Sequence, residues 1–542
     1  MMFTPVGSTP STAGFARAGI SLRWVRSPGS PEFTTVPGPG LLRGTTVLDV
    51  DAITCRFGVM PATANRFLLP CPAIAILIGL CSCGSMVGPS IQNSPPKTVT
   101  LNPMLAGKSL AETTFRSTFV AALRQPITSL RQGLAVLWHR PREILAGNLP
   151  VNLEAKEALP ETPGTVGFER LLDEKGFPQP ENGTLKWLVD GGEFFPELDR
   201  QIASAKSSIA AQVYIFDNDD IAVRYADRLR KRSAEVKVRV LFDDFGSATS
   251  YLSSPETKVP GDFQAPPDMK VYLESGSDVK VRRTLNPWLV ADHTKLLVFD
   301  DRTALLGGMN IGREYYNEWH DLMVRVDGPV VARLAGIFSR TWRKSGPLGD
   351  LSLFSKPKKF GKPQALAGGI PLRVLRTEPG IGRHEIRDGM LLAIRCAKKR
   401  ILIENPYFAS DEILWAVRAA ASRGVDVRLV MPAEGNSAIM DAGNLATARV
   451  LIGAGSKVYR YPRMTHMKVM VCDDWVTMGS ANLDVLSMRI NRELNIAFSD
   501  KAEVERLVAA VFTPDIAGSR RIRRAETEGA IAQFAEILAD QF

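Results

Sequence analysis

The sequence predicts an α/β protein assembled from two related halves, each a sheet covered on both faces by helices. From about residue 185 onward, short apolar runs typical of strands alternate with stretches of helical periodicity. The same order of elements occurs twice, and each copy ends in the same short motif, which opens with a histidine. Strands that alternate with helices indicate βαβ units, and sheets built from such units carry helices on both faces.

The composition excludes several classes of protein. The chain has 542 residues, of which 45% are hydrophobic and 23% charged, which excludes a largely disordered, collagen-like or many-span membrane protein. Its six cysteines are too few for a disulfide scaffold. Lys and Arg number 67 against 57 Asp and Glu, and the formal net charge of +10 favours a partner that carries phosphates, either nucleic acid or an anionic membrane.

The N-terminal region divides at Met60. Residues 1–59 are rich in Gly, Pro, Ser and Thr, and we expect them to be disordered or untranslated, with Met60 as the true start. Residues 60–83 carry one arginine, an apolar run too short for a membrane span, and a Leu-Cys-Ser-Cys sequence that resembles a bacterial lipoprotein box. This pattern predicts an export signal with Cys83 as the lipidated residue. An uncleaved membrane anchor and a chance apolar stretch are the alternatives.

Residues 84–184 contain one predicted amphipathic helix. Its apolar residues recur every three or four positions, which is the spacing of one helical face; they are Phe115, Phe119, Leu123, Ile127, Leu130, Leu134 and Leu137. Pro126 should kink this helix. We expect the apolar face to pack on the protein's own body, and the arginines that accompany it leave open a helix lying on an acidic lipid surface.

Each half repeats a succession of strand, helix and strand. The predicted elements cover residues 209–216, 219–233 and 236–242 in the first half, and 401–408, 411–423 and 425–431 in the second. The first half is the longer one. Its Ser- and Pro-rich residues 247–267 are predicted to form a surface loop that holds the surplus.

The two motifs are the most informative residues of the chain. They read His293-Thr-Lys295-Leu-Leu-Val-Phe-Asp300 and His466-Met-Lys468-Val-Met-Val-Cys-Asp473. A glycine turn and an asparagine follow each of them, as Gly307-Gly308-Met-Asn310 and Gly479-Ser480-Ala-Asn482. The chain has only five histidines, so two of them at matching places of a repeat indicate one shared site.

These residue types suit chemistry at a phosphodiester. On a strand, a histidine and a lysine two positions apart point to the same face, and a pseudo-twofold packing of the halves would bring both pairs together. Hydrogen-bond donors for the phosphate would come from Asn310, Asn482 and Ser480. No cluster of carboxylate or thiolate ligands accompanies the motifs, so we expect neither a metal nor another cofactor. One histidine would attack phosphorus while the other serves as acid and base.

The twin motif is the HKD signature of the phospholipase D superfamily, which residues 185–515 resemble. The chain is most similar to bacterial cardiolipin synthases in Asp243-Asp-Phe-Gly-Ser247, Gly308-Met-Asn310-Ile-Gly-Arg-Glu-Tyr315, Trp319-His-Asp321, Asn405-Pro-Tyr-Phe408, Arg423-Gly-Val-Asp-Val-Arg428 and Gly479-Ser-Ala-Asn482-Leu-Asp484. Two features depart from that pattern. The turn between Asp473 and Gly479 looks one residue short, and the sequence lacks the transmembrane hairpin usual at the start, a role that the apolar run after Met60 could fill.

The resemblance implies two fused α/β/α sandwich lobes with the active site in the cleft between them. The lobes would cover residues 185–345 and 371–515, with a linker at 346–370 and a C-terminal helix at 516–542. The resemblance also makes His293 the nucleophile and His466 the acid and base, and adds Lys295, Lys468, Asp300 and Asp473 to the catalytic motif. We expect the two aspartates to brace turns rather than to touch substrate.

Two further carboxylates, Asp321 and Glu493, follow the motif histidines at similar distances. An imidazole that works as nucleophile or base needs a carboxylate on its far nitrogen to hold the correct tautomer. We therefore expect Asp321 and Glu493 to orient the histidines, with a crosswise arrangement between the lobes as one possibility.

The function that the resemblance implies is phosphatidyl transfer between phospholipids, making cardiolipin from phosphatidylglycerol and a second phospholipid or alcohol. Two alternatives remain open at this point: a phospholipase D-type hydrolase, acting on lipid in preference to nucleic acid, and a catalytically inactive membrane-binding protein. We expect the chain to be attached to the membrane of a bacterial cell envelope, and we expect no nucleic acid partner.

Overall fold

The computed structural model describes residues 111–146, 159–251, 256–354 and 368–527 of the chain. Sixteen strands in these ranges form one continuous sheet. They are β1 (Glu181–Val189), β2 (Ser208–Val213), β3 (Lys237–Asp243), β4 (Lys280–Thr284), β5 (Leu296–Phe299), β6 (Thr303–Gly307), β7 (Leu322–Asp327), β8 (Ile370–Glu378), β9 (Arg383–His384), β10 (Arg400–Glu404), β11 (Asp426–Pro432), β12 (Lys457–Tyr461), β13 (Val469–Cys472), β14 (Trp475–Gly479), β15 (Glu493–Phe498) and β16 (Arg520–Arg521). The expectations for residues 1–59 and 60–83, including lipidation of Cys83, lie outside the described residues.

Helices cover the sheet. They are α1 (Ala121–Arg124), α2 (Pro126–Ala146), α3 (Val166–Glu174), α4 (Asp190–Ser204), α5 (Asp220–Arg232), α6 (Asp244–Ser250), α7 (Met269–Glu274), α8 (Val330–Lys344), α9 (Glu385–Cys396), α10 (Asp411–Ser422), α11 (Ala438–Gly453), α12 (Lys501–Ala510) and α13 (Phe512–Gly518). Short 3-10 turns occur at Pro287–Leu289, Gly349–Phe354, Pro379–Ile381 and Arg524–Thr527, and π-helical turns at Arg116–Val120, Glu314–Glu318 and Leu486–Ile490. In the part of the chain that the structure describes, none of the helices combines the length and the apolar character that crossing a bilayer requires.

The two halves have the same topology. In the first half β2, β3 and β4 run parallel, whereas β5, β6, β7 and β1 are antiparallel neighbours. The second half repeats this with β10, β11 and β12 parallel and β13, β14, β15 and β8 antiparallel. The halves join where β1 pairs with β8, with Glu181 opposite Leu372. The predicted α/β class with two related lobes is confirmed.

Apolar packing makes the two lobes one body. One core lies under the helices of the first lobe and a second core under those of the second, and a third core is shared. The shared core combines Val298 and Phe338 of the first lobe with Val471 and Phe512 of the second. Because the same packed layer holds both motif strands, β5 and β13, the position of one motif relative to the other is set by the core.

Two predicted segments differ from the structure. The loop predicted at residues 247–267 begins inside α6, a buried helix that starts where the Asp243 carboxylate accepts a hydrogen bond from Gly246 N at 2.8 Å. The C-terminal helix predicted at residues 516–542 is wrong for the described part. There α13 ends at Gly518, and the chain then forms β16, which pairs with β12. The backbone groups of β16 are thus hydrogen-bonded to the edge of the sheet instead of within a helix.

The amphipathic helix is present, but its apolar face is turned outward. The chain breaks at Gln125, whose φ is −128°, because the following Pro126 restricts the residue before it. The face that contacts the protein is polar, with Gln125 and Thr128 buried, whereas Leu123 is 83% exposed. The expectation that the apolar face packs on the protein's own body is therefore wrong.

Candidate active site

Both motifs place a histidine and a lysine at the start of a buried strand. His293 and Lys295 lie in the extended stretch just before β5, and His466 and Lys468 lie in the same place before β13, rather than within the strands as predicted. The four residues are between 1% and 5% exposed, so the site is closed over them in this structure.

Backbone hydrogen bonds bring the motif of each lobe against the other lobe. His293 N donates to Arg492 O at 2.9 Å, and His466 N donates to His320 O at 2.6 Å. Parallel bridges between Asp292 and Arg492 and between His320 and Thr465 flank these contacts. Each motif is thus paired with the residue that precedes the carboxylate of the opposite lobe, and the two motifs converge on one place.

The two carboxylates contact the histidines crosswise. Oε2 of Glu493, in the second lobe, lies 3.1 Å from Nδ1 of His293. Oδ2 of Asp321, in the first lobe, lies 2.7 Å from Nδ1 of His466. With Nδ1 held by a carboxylate in both cases, Nε2 is the ring nitrogen left for chemistry on a substrate.

The surroundings of the imidazoles favour their neutral form. Burial, reinforced by the nearby ammonium groups of Lys295 and Lys468, holds the pKa of His293 well below its usual value. Burial and the same two lysines hold the pKa of His466 well below its usual value too. A neutral imidazole has the lone pair that a nucleophile needs, and a bound phosphate anion would offset the lysine charges and restore basicity.

Burial acts on the paired carboxyl groups in the opposite direction. It raises the pKa of Asp321 to about 7 and the pKa of Glu493 to about 8, although both lysines oppose the rise. Each carboxyl can therefore exchange one proton with the imidazole that it contacts near neutral pH. Asp321 does so with His466 and Glu493 with His293.

The lysine side chains fold back on their motifs. Lys295 Nζ donates to the carbonyl oxygen of His293 at 2.8 Å, and Lys468 Nζ donates to that of His466 at 2.5 Å. Lys295 Nζ also lies 5.0 Å from the centre of the Tyr214 ring. These contacts keep both positive charges beside the imidazoles, where a phosphodiester would be bound.

The two asparagines that the sequence predicts as phosphate ligands are buried in the site region. Asn310 is held by its neighbours, since its Oδ1 accepts from Ile215 N at 3.0 Å and its Nδ2 donates to the hydroxyl of Tyr315 at 2.8 Å. Asn482 is 1% exposed, and among the described residues its Oδ1 has no hydrogen-bond partner. Asn310 thus has one of its two N–H groups already committed.

Ser480, the third predicted phosphate ligand, directs its hydroxyl elsewhere. Its Oγ donates to Glu493 Oε2 at 2.5 Å and accepts from Leu494 N at 3.0 Å. The structure therefore makes it a support for Glu493. The matching residue of the first lobe, Gly308, has no room for this device, because a Cβ there would lie 2.2 Å from Asp321 Oδ1.

The motif aspartates lie at the far ends of β5 and β13 and brace turns there. The Asp300 carboxylate accepts from the backbone N–H groups of residues 206–208 at 2.7–2.8 Å. Asp473 accepts from those of residues 398–400 at 2.8–3.0 Å. Both adopt a positive φ, 54° and 49°. This is the bracing role expected of them, and each is separated from its histidine by a buried strand.

Aromatic rings form walls that the sequence analysis missed. Tyr214 meets the His293 ring edge-on with centroids 4.8 Å apart. Trp319 and Tyr315 lie 5.1 and 5.6 Å from the His466 ring. Tyr315 and Trp319 belong to stretches that carry the family resemblance, and that resemblance was the one sequence signal that could have placed them at the site. Apolar rings around the imidazoles exclude water from them.

His320, to which the sequence assigns no chemistry, ties the lobes together behind His466. Its Nδ1 lies 2.7 Å from Asp190 Oδ1 and its Nε2 lies 3.1 Å from Asp515 Oδ2. Burial opposes protonation, but these hydrogen bonds raise the pKa of His320 to about 11. Among the residues that the structure describes, two groups have ligand atoms close enough for a metal ion, and neither contains a motif residue; they are His320 with Glu404 and Asp515, and Asp217 with Asp219 and Glu314.

The chain is similar to known proteins over both lobes. The sequence profile of the family described as "Cardiolipin synthase, PLD-like domain" matches residues 198–342 and 390–515. The major cardiolipin synthase of Bacillus subtilis is 30% identical over 357 residues, 63% of this chain and 70% of that protein. Cardiolipin synthase A of Pseudomonas syringae is 29% identical over 419 residues, 73% of this chain and 80% of that protein. Phosphatidylserine synthase of Haemophilus influenzae shares the fold, with a TM-score of 0.51 at 15% identity over 68% of this chain and 96% of that one.

Proposed function

The chain belongs to the cardiolipin synthase family with phospholipase D-like domains, and on that premise we propose that it transfers a phosphatidyl group from one phospholipid to another through a phosphohistidine intermediate. The observation that carries the mechanism is the pair of crosswise contacts, Glu493 with His293 and Asp321 with His466. They give one closed site two oriented imidazoles, which double displacement at phosphorus requires.

In the first step His293 attacks the phosphorus of the donor lipid. Its Nε2 forms the bond to phosphorus while the bond from phosphorus to the leaving headgroup oxygen breaks. His466, protonated once the phosphate has offset the lysine charges, gives its proton to that oxygen and releases the headgroup alcohol. Glu493 stabilises the charge that develops on the His293 ring.

In the second step the hydroxyl of the acceptor lipid resolves the intermediate. His466, now neutral, takes the hydroxyl proton while the oxygen forms its bond to phosphorus and the bond from His293 Nε2 breaks. The enzyme returns to its starting protonation state, and Asp321 holds the His466 ring through both steps.

The charge of the phosphoryl oxygens is stabilised by the protein's own cations. Lys295 and Lys468 lower the pKa of both histidines, which places their charge at the reacting centre. We infer that no metal takes part in the chemistry, and that a chelator leaves the initial rate of transfer unchanged. Restoration of a chelated, inactive preparation by a divalent ion would contradict this.

The low solvent access of the site favours transfer over hydrolysis. The motif histidines and lysines are at most 5% exposed, and aromatic rings line the imidazoles. A water molecule competes poorly for a phosphohistidine that it cannot reach, whereas a lipid hydroxyl is delivered with its headgroup.

The substrates of such an enzyme lie in a bilayer, so we also propose that the protein acts at the membrane surface of a bacterial cell envelope, attached through residues 60–83. The net charge of +10 supports an anionic surface as partner.

Product analysis tests the proposed function. Purified protein receives labelled phosphatidylglycerol, with and without a second phospholipid, and the labelled lipids are separated. We expect a lipid containing two phosphatidyl groups, with release of the headgroup alcohol, and no turnover by His293→Ala protein. Phosphatidic acid as the sole product would identify a hydrolase, and an inactive wild type with properly folded protein would favour a membrane-binding role.

A further inference from the structure

The segment of residues 115–138, which includes the π-helical turn, α1 and most of α2, is held to the protein mainly by its polar side. Gln125 Nε2 donates to the carbonyl oxygen of Lys344 at 2.9 Å, and Thr128 donates from both N and Oγ1 to the Asp350 carboxylate at 2.8 and 2.5 Å. Gly133 allows Trp288 to approach so closely that a Cβ would lie 2.7 Å from its indole nitrogen. Hydrogen bonds and small-residue packing fix this segment, together with one apolar contact of Val136 with the cluster that contains Val290 and Ile490.

The opposite side of the same segment is apolar and exposed. We call it the α1–α2 stripe; it consists of Phe115 (57% exposed), Phe119 (61%), Leu123 (83%), Ile127 (46%), Leu130 (64%), Leu134 (59%), Leu137 (68%) and Trp138 (61%). A helix on a soluble protein normally buries its apolar face. Soluble monomers rarely expose an apolar patch larger than a few hundred Å², and a larger one marks an interaction surface.

Both lobes extend the stripe. Trp288, in the 3-10 turn Pro287–Leu289 of the first lobe, is 60% exposed and donates to the carbonyl oxygen of Ser129 at 2.8 Å. Ile381, in the turn Pro379–Ile381 before the second lobe's first helix, is 48% exposed. An exposed tryptophan with its N–H satisfied suits the boundary between water and lipid, where aromatic side chains with one polar edge accumulate.

A basic cavity lies directly beside the stripe. It has a volume of about 340 Å³, and Ile127 and Ile381 are among its lining residues. Its cations are Arg131, Arg340, Lys344, Arg376 and Arg492, and its acids are Asp292, Asp350, Glu378 and Glu493.

The positive charge of this cavity is not fully compensated. Arg492 pairs with Asp292 at 3.2 Å and Arg376 with Glu378 at 3.0 Å, which uses two of the acids. The five cations of the lining outnumber its four acids, and burial, with Arg492 next to it, lowers the pKa of Lys344 to about 8. An anion bound there would relieve that excess.

The cavity borders residues next to the catalytic centre. Asp292 and Thr294, which flank His293, line it together with Glu493, whereas the motif histidines and lysines do not. Apolar side chains next to an excess of cations match a lipid with an anionic headgroup better than they match a second copy of this basic chain.

We propose that the α1–α2 stripe, with Trp288 and Ile381, docks into the interfacial layer of a bilayer that contains anionic phospholipid, and that the adjacent cavity accepts a lipid phosphate. The α1–α2 stripe would keep the protein at the bilayer that contains its substrates, independently of residues 60–83. The proposal rests on the proposed function only in its choice of lipid as the partner.

Vesicle partition tests it with matched variants of the full chain. The stripe variant carries Leu130→Ser, Leu134→Ser and Leu137→Ser; the control carries Val166→Ser and Val271→Ser, which are exposed apolar residues elsewhere at 79% and 63%. All proteins share residues 60–83, so a difference between the variants belongs to the stripe. On vesicles of phosphatidylcholine with phosphatidylglycerol, we expect the stripe variant to bind about tenfold or more weakly than wild type and the control variant to bind within twofold.

A second variant tests the cavity. Lys344→Gln should remove most of the preference for vesicles with phosphatidylglycerol over pure phosphatidylcholine, whereas Lys231→Gln, at an exposed position on α5, should keep it. Equal preference in both variants would overturn the role of the cavity.

Activity separates docking from chemistry. The stripe variant should lose transfer on vesicles and keep it on dispersed short-chain phosphatidylglycerol, whereas His293→Ala loses both. If the stripe variant binds vesicles and turns over vesicle lipid as well as wild type does, the proposal is overturned even if the enzyme is a transferase. A change from dimer to monomer in sedimentation, with partition unchanged, would instead identify the stripe as a contact between copies.

Discussion

Replacing Glu493 by glutamine should slow turnover about tenfold, whereas alanine should slow it by roughly three orders of magnitude or more. Glu493 Oε2 lies 3.1 Å from His293 Nδ1 and accepts from Ser480 Oγ at 2.5 Å. The Ser480 hydroxyl, whose oxygen accepts from Leu494 N at 3.0 Å, has Glu493 Oε2 as its nearer acceptor, the other being the Leu494 carbonyl oxygen at 3.4 Å. An oxygen is therefore preferred there, and a glutamine amide keeps its carbonyl oxygen facing both donors.

The two magnitudes follow from what each substitution removes. Above the Glu493 pKa of about 8, glutamine keeps the hydrogen bonds and loses the charge, and the difference between charged bonds of about 1.5–3 kcal/mol and neutral bonds of about 0.5–1.5 kcal/mol is near the 1.4 kcal/mol that corresponds to tenfold. Alanine removes the acceptor and releases the His293 tautomer. Loss of an orienting carboxylate beside a catalytic histidine costs about 10⁴ in kcat.

Initial rates of transfer from labelled phosphatidylglycerol in mixed micelles, per mole of folded protein, give the comparison. Glu197→Ala is the matched control. Glu197 is 1% exposed and pairs with Lys186 and Arg200 rather than with a motif residue, so its loss should lower stability and leave turnover unchanged. Ser480→Ala combined with Glu493→Gln should approach the alanine rate, since the amide is then free to turn its NH₂ toward His293. If Glu493→Gln is as slow as Glu493→Ala in the presence of Ser480, or if Glu493→Ala is within tenfold of wild type, Glu493 does not orient His293 as described.

Further predictions concern the motifs. Asp300→Ala and Asp473→Ala each remove acceptors of backbone N–H groups and should lower the free energy of unfolding by about 1–3 kcal/mol while turnover per folded molecule is kept; a large kcat loss in a stable variant would contradict this. His466 is neutral when folded and protonated when unfolded below about pH 6.5, because its folded pKa is depressed. Wild type should therefore lose stability relative to His466→Gln as the pH falls from 7 to 5, by at most about 1.4 kcal/mol per pH unit, and parallel curves in thermal unfolding would contradict it. Each chain contains a complete cleft, so mixing His293→Ala with His466→Ala protein should restore no activity, and recovered transfer would mean that sites are shared between subunits.

The repeat made the core of the site predictable from sequence. Two copies of one motif with carboxylates at matching distances imply a pseudo-twofold axis, and that axis places Glu493 beside His293. The role of Ser480 could not be found the same way, because its counterpart Gly308 breaks the symmetry. The aromatic walls were missed for a different reason: Tyr214 reaches His293 from a distant part of the chain, and no local pattern encodes such a contact.

The amphipathic helix shows the limit of periodicity. Spacing identifies an apolar face but not whether the protein covers it. The decision is made by long-range contacts, here between Thr128 and Asp350 and between Gln125 and the backbone of Lys344, which hold the polar face inward. Neither contact has a signature near residue 125 in the sequence.

Trapping the covalent intermediate tests the central claim most directly. Acid- or base-quenched protein, taken during turnover of phosphatidylglycerol labelled in its phosphate, is digested and the labelled peptide is identified by mass spectrometry. We expect phosphatidyl label on His293 in the wild type, label that persists in His466→Asn protein, and none in His293→Asn protein. Label on His466 that persists in His293→Asn protein would reverse the roles of the two histidines, and turnover with no labelled histidine at any quench time would contradict the phosphohistidine mechanism.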